Sequence, residues 1–135
     1  MAYKITEIEG IGPAMAAKLE AAGIRTTDHL LKQCATPAGR KKVAETCGIS
    51  PKLVLKWANM ADLMRVSGIG EEYSELLECA NCNTVRQLAR RNPANLARIM
   101  AEINARKKLV RQVPSETEVA KWVAKAAKLE PMLKY

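Results

Sequence analysis

The sequence predicts an all-α protein, and three features of its 135 residues support this. The composition favours Ala, Leu, Glu, Lys and Arg, which are strong helix formers, and contains no Phe. No segment shows the alternation of apolar and polar residues that is typical of a half-buried strand. The segment "IEGIGPAMAAKLEAAGI", from Ile8 to Ile24, is followed 58 positions later by the similar "VSGIGEEYSELLECANC", from Val66 to Cys82. The chain is therefore predicted to contain two pseudo-equivalent repeats of five helices each.

The first repeat is predicted to span residues 1–64. Its helices begin with a proline at the first helical position, where the missing N–H has no cost, at Pro13, Pro37 and Pro51. Gly23 and Gly48 are the expected C-terminal stops, because glycine adopts the left-handed conformation easily. Thr27 is the expected cap of a short helix that lies between these two glycines. Short degenerate hairpins at 34–36 and around residue 92 are expected to bring each repeat to five helices.

The second repeat is predicted to span residues 65–135 and follows the same order. Asn81 takes the place of Gly23, as asparagine can at a left-handed helix end. Pro93 starts a long helix, and Ser115 with Glu118 has the spacing of a capping box at the last one. No Gly/Ser-rich linker separates the halves, so they are expected to pack directly together.

The two Gly-Ile-Gly segments resemble the helix-hairpin-helix motif, in which an apolar residue precedes Gly-apolar-Gly and an alanine and an apolar residue follow. In the first copy these positions are Ile8, Gly10, Ile11, Gly12, Ala16 and Leu19. In the second copy they are Val66, Gly68, Ile69, Gly70, Ser74 and Leu77. Longer segments, including "CATPAGRKKVAETCGIS" and "RNPANLARIMAEINARKKLVRQVPS", resemble an uncharacterised bacterial family of small two-repeat proteins, described only as a domain of unknown function. This resemblance covers nearly the whole chain and implies the fold rather than an activity.

The charge distribution makes polyanions the first partners to consider. The net charge is +8 and the sequence pI is near 9.5. Between Arg86 and Arg111 there are eight basic residues and one acidic residue, Glu102. Just before this basic block lies an acidic cluster, formed by Glu71, Glu72, Glu75 and Glu78. Two solvated helix faces of opposite sign are the alternative interpretation of these runs.

The main functional prediction is a non-catalytic module that binds duplex DNA without sequence specificity. The resemblance to DNA-binding helix-hairpin-helix proteins implies that the first hairpin holds a phosphate at a helix N-terminus. The residues implied are Gly10, Ile11, Gly12, Ala14, Met15 and Lys18. Two basic segments are expected to assist: Arg40, Lys41 and Lys42, or Arg106, Lys107 and Lys108. Such binding is electrostatic and weakens steeply with salt.

The second hairpin, Gly68, Ile69 and Gly70, is predicted to be structural, because Glu71 and Glu72 would repel a phosphate there. The alternative function is a protein-interaction adaptor in which both hairpins are architectural. Single-strand binding is less favoured, since aromatic residues are few, Trp57 and Trp122 are expected in the core, and Tyr73 is the aromatic residue most expected to be exposed.

An enzyme is the least favoured class. His29 is the only histidine, and no catalytic triad arrangement or phosphate loop is present. Cys79 and Cys82 form a C-x-x-C without a second close pair, and they align with Ala21 and Ile24 of the first repeat. They are therefore expected to be buried hydrophobes rather than metal or redox groups, and no cofactor or small-molecule substrate is predicted.

The sequence also predicts a cytoplasmic protein without membrane segments. The N-terminal segment "MAYKITEIEG" has acidic residues where a signal peptide would be apolar, and no apolar run is long enough to span a bilayer.

Overall fold

The computed structural model describes residues 3–135, and eight α-helices form this part of the chain. The first four are α1 (Pro13–Ala21), α2 (Thr27–Gln33), α3 (Pro37–Cys47) and α4 (Pro51–Leu63). The others are α5 (Glu71–Cys79), α6 (Val85–Ala89), α7 (Pro93–Lys107) and α8 (Glu116–Ala126). Residues 3–135 contain no β-strand; one isolated antiparallel bridge joins Lys4 to Thr26. The prediction of an all-α protein is confirmed.

The prediction of five helices in each half is wrong, because four α-helices lie on each side of residue 64. The segments where a further hairpin was expected are too short to hold another helix. They consist of caps instead, since Thr36 accepts a hydrogen bond from the Gly39 N–H and Asn92 accepts one from the Asn95 N–H. A 3-10 turn, Ile5–Glu7, precedes α1. Met1 and Ala2, the first residues of the predicted first repeat, lie outside the described residues.

Local sequence signals account for most helix ends. Proline occupies the first turn of four helices, α1, α3, α4 and α7. The expected left-handed stops occur at Gly23 (φ 86°), Gly48 (φ 65°) and Asn81 (φ 60°). The predicted cap of α2 is wrong by one residue: Thr26 accepts from the His29 N–H, whereas Thr27 is buried and its hydroxyl accepts from the Tyr3 N–H.

Two hydrophobic cores hold the helices together. The first core gathers apolar residues of α1–α4, and the second gathers those of α5–α8 together with Leu63 at the end of α4. Trp57 is buried in the first core and Trp122 in the second, as predicted. The prediction that Tyr73 is exposed is wrong: it is half-buried, its ring centroid lies 5.1 Å from that of Trp122, and its hydroxyl donates to the Gln112 carbonyl. The exposed aromatic residue is Tyr135.

The two halves meet where α4 packs against α5, at the end of α4 and at the C-terminal segment. The buried carboxylate of Asp62 pairs with Arg65 (Nη1–Oδ1 2.8 Å) and accepts the Val85 N–H of α6 (2.9 Å). Arg65 also donates to the Glu130 carbonyl. The chain then returns to the first half, where Leu133 is buried in the first core. These contacts fix the C-terminal segment against both halves.

Candidate functional site

The first hairpin exposes its backbone and buries its apolar side chain. Gly10 has a φ of +95°, and the Ile11 N–H donates to the Ile8 carbonyl across the turn (3.1 Å). Ile11 belongs to the first core and is only 5% exposed, so a partner would meet the flanking exposed glycines, Gly10 and Gly12. Gly12 is the N-cap of α1, and a Cβ built on it would meet no atom within 4 Å. The loop is therefore open to an approaching surface.

The N-terminus of α1 has no side-chain cap. Side chains cap five of the eight helices described in residues 3–135, whereas α1, α4 and α5 begin without one. The N–H groups of Ala14 and Met15 lie in the first turn of α1, where no carbonyl of the helix itself can accept them. Ala14 is exposed and Met15 is half-buried. These N–H groups suit an anionic or carbonyl oxygen from outside the helix.

The second hairpin has nearly the same geometry. Gly68 has a φ of +99°, and the Ile69 N–H donates to the Val66 carbonyl (3.1 Å). A Cβ on Gly68 would lie 3.0 Å from the Trp122 Nε1, which is closer than ordinary packing allows. On Gly10 the corresponding distance, to the Trp57 Nε1, is 3.4 Å. Gly68 therefore has a packing role against a buried tryptophan, and Gly10 is required by its positive φ; both roles are independent of any ligand.

Acidic side chains from both hairpins lie close together, although they are far apart in the sequence. Burial raises the pKa of Glu71, and the neighbouring carboxylates Glu9, Glu72 and Glu7 raise it further. Within residues 3–135 no cation is among the neighbours that shift the pKa of Glu71, so its surroundings are net negative. We call Glu7, Glu9, Glu71 and Glu72 the acidic face. The first hairpin therefore lies in a negative environment, which opposes phosphate binding.

Further along α5 the charges are mixed. Burial raises the pKa of Glu75, and among its neighbours Glu9 raises it while Lys56 and Lys107 lower it. The Lys107 Nζ also lies 3.8 Å from the Cys79 Sγ. Lys107 therefore has the Glu75 carboxylate for a neighbour, and this end of the basic block does not form an uninterrupted positive surface with the first hairpin.

Most of the cations predicted to assist binding are exposed: Lys18, Lys41, Lys42, Arg106, Lys107 and Lys108. Arg40 is different, because it is only 7% exposed. Its guanidinium donates to the carbonyls of Cys34 (3.0 Å) and Lys134 (2.8 Å). It also lies 5.4 Å from the ring centroid of Tyr135. Arg40 thus holds the C-terminal segment on the first half and does not face solvent.

The four cysteines are free thiols, and three of them are buried. Burial raises the pKa of both Cys34 and Cys82 to about 11, and it also raises the pKa of Cys47. Cys82 has the buried position that its alignment with Ile24 predicts, whereas Cys79 is half-buried beside Lys107. Within residues 3–135, no three potential metal ligands come together.

Sequence reasoning missed three features of this surface. It did not find Glu7 and Glu9 as neighbours of the α5 carboxylates, the buried position of Arg40, or the return of the chain to the first half after α8. Each involves residues more than 50 positions apart, and no local pattern marks such pairs. In the described residues no helix combines the length and apolar character that a membrane crossing requires.

The class that these observations define is a small all-α protein with two exposed glycine turns. The family described as "Domain of unknown function (DUF4332)" matches residues 9–129, which is nearly the whole chain, so the chain belongs to this family. The resemblance to an uncharacterised family is thereby confirmed. No curated protein and no solved structure shows significant similarity to the chain.

Proposed function

We propose that this protein is a non-catalytic binding module made of two helix-hairpin-helix repeats, 1–64 and 65–135, whose hairpin face docks a partner protein. The equivalent positions support the repeats. The helix after each hairpin ends with the same hydrogen bond, Ile24 N–H to Leu19 O and Cys82 N–H to Leu77 O, both 2.9 Å. The left-handed glycines Gly10 and Gly68 each lie against a tryptophan.

The observation that carries the choice of partner is the acidic face. The carboxylates Glu7 and Glu9, beside the first hairpin, raise the pKa of Glu71, which follows the second hairpin. A phosphate backbone that approached either hairpin would meet this negative charge, whereas a segment rich in Lys and Arg would be attracted. The expected partner is therefore a protein that presents a cationic segment.

Duplex DNA or another polyanion is the second candidate, and a separate observation favours it. The α1 N-terminus is open and uncapped, and Lys18 is exposed one turn along the helix. With the net charge of +8, this arrangement supports contact with a phosphate that reaches α1 from the side away from the acidic face. The binding would have no sequence specificity, since only backbone atoms are contacted.

Fluorescence anisotropy with two labelled ligands separates the candidates. One ligand is a 20-residue peptide of alternating Lys and Ser, and the other is a DNA duplex; both are titrated at several salt concentrations. If the acidic face docks a cationic segment, the peptide binds and the double variant Glu9→Gln, Glu71→Gln weakens it about 2- to 30-fold, the range expected for two exposed ion pairs. Glu45→Gln, an exposed carboxylate on α3, is the matched control and should leave the affinity unchanged.

A different pattern would support DNA binding. The duplex would bind tightly at low salt, lose affinity log-linearly as salt is added, and be displaced by Gly12→Glu while helical circular dichroism is retained. The double variant would then strengthen duplex binding, because it removes repulsion near the hairpin. If neither ligand binds at low salt, the hairpins are architectural and the proposal fails.

A further inference from the structure

An open groove runs along α4. It consists of two adjoining depressions of about 490 and 480 Å³, which share Lys52 and Leu55 in their walls. Leu53 and Leu55 are half-buried and form its apolar floor. Pro37 and Pro51 extend the apolar wall at one end. The groove thus leaves apolar surface in contact with water.

The rim of this groove is positive. Lys41, Lys52 and Lys56 line it, and none of them forms a salt bridge within residues 3–135. Two helix N-termini also point their partial positive charge here, because Pro37 is the first residue of α3 and Pro51 the first residue of α4.

Two further groups complete the groove's polar edge. The Ser50 side chain, which lines the groove, makes no cap hydrogen bond to α4. Carboxylates of α5 lie at the opposite end, where Glu78 lines the groove and Glu75 is a neighbour of Lys56. The N-terminal end of the groove is therefore its most positive part.

We propose that this groove binds an acidic amphipathic helix from a partner protein. Leucine-like side chains of that helix would cover the Leu53 and Leu55 floor, and its carboxylates would pair with the lysine rim. Nucleic acid matches the rim but not the floor, since a sugar-phosphate backbone cannot cover apolar side chains and no aromatic residue lines the groove for stacking. The inference is independent of the acidic face, because different residues form the two surfaces and they select opposite charges.

The test uses a labelled 14-residue peptide with Leu on one helical face and Glu on the other, and a matched peptide with Lys in place of Glu. In full-length protein carrying Glu9→Gln and Glu71→Gln, which weaken the acidic face's own attraction for lysine, the Glu peptide should bind at least about tenfold more tightly than the Lys peptide. The double variant Lys52→Glu, Lys56→Glu should weaken Glu-peptide binding about tenfold or more. The control is the double variant Lys121→Glu, Lys128→Glu, which makes the same charge change at two exposed lysines, one in α8 and one just after it. It should weaken Glu-peptide binding much less.

Leu55→Asn tests the floor without changing charge, and a loss of about three- to tenfold is expected because an apolar contact is removed. Circular dichroism of each variant confirms that it is folded. Backbone amide shifts in an NMR titration should change most in residues 37–41 and 50–56.

Three results would overturn the proposal. The first is no binding of the Glu peptide up to about 1 mM, which means that the binding free energy is weaker than about 4 kcal/mol. The second is a Leu55→Asn variant that binds as tightly as the wild type, since general attraction of anions would then explain the affinity. The third is a set of amide shifts that centres on residues outside the groove.

Discussion

Replacement of Arg40 by Met should loosen the C-terminal segment and destabilise the whole protein. The Arg40 guanidinium lies in a nearly closed site and joins the carbonyls of Cys34 and Lys134, at 3.0 and 2.8 Å. The adjacent Lys134 N–H donates to the Ala35 carbonyl (2.7 Å), so the segment is held from both sides. Methionine retains the apolar stem but none of the donors.

The expected loss can be worked out from these contacts. A hydrogen bond from a charged donor contributes about 1.5–3 kcal/mol, and the bond to Lys134 counts at the lower end because its surroundings are only partly buried. The contact with the Tyr135 ring, which is 66% exposed, adds about 0.5 kcal/mol. Relaxation of the freed segment into water recovers part of this sum. We expect the free energy of unfolding to fall by about 2–4 kcal/mol, a large fraction of the total for a small domain.

Urea denaturation followed by the fluorescence of Trp57 and Trp122 measures this loss. Lys41→Met is the matched control, because Lys41 is the exposed neighbour of Arg40 and its replacement should change stability by less than about 0.5 kcal/mol. Hydrogen exchange of the Lys134 amide should accelerate in Arg40→Met and stay slow in the control. Equal urea midpoints for Arg40→Met and the wild type, with the Lys134 amide still protected, would refute the reasoning. If DNA affinity fell while stability did not, Arg40 would instead act in binding.

The remaining predictions concern glycines and thiols. Gly68→Ser should cost about 1–3 kcal/mol, since φ is +99° and a Cβ would lie 3.0 Å from the Trp122 Nε1. Gly12→Ser should raise the free energy of unfolding by about a few tenths of a kcal/mol, because the space around Gly12 is open and the new hydroxyl can cap α1. Thermal unfolding of the two glycine variants measures these changes. Equal losses of stability in both variants would contradict the predictions. Cys82, whose pKa burial raises to about 11, should react with maleimide at pH 8 at least about 100-fold more slowly than the half-buried Cys79. Mass-spectrometric mapping measures both rates. Comparable rates would show that the second core opens readily.

The sequence alone shows only part of the charge pattern of the surface. The acidic cluster of α5 and the basic block after it were visible as runs in the sequence, because charges that share a helix face recur at short spacing. The residues that folding brings beside these charges cannot be seen in the sequence. Lys56 meets Glu75 because α4 and α5 pack against each other. Glu9, which precedes α1, is likewise a neighbour of Glu71 and Glu75 only in the folded protein.

The sequence by itself determined the all-α class, the main helix starts and the left-handed stops. These features depend on interactions within about four residues, such as Ser115 with the Glu118 N–H or the position of Pro93 in the first turn of α7. The position of Thr27 shows the limit of this reasoning, because two adjacent threonines offer the same local cap and long-range pairing with Tyr3 selects which one is used.

The tertiary structure alone decided which surfaces can bind. Arg40 stands beside Lys41 and Lys42 in the sequence and looks like part of one basic patch, yet it is buried under a segment 94 residues away. Tyr73 became half-buried because it lies on Trp122, and the groove along α4 exists only where α3, α4 and α5 meet. The physical reason is common to all three: exposure and electrostatic environment depend on residues that folding brings near, and their separation along the chain carries no local signal.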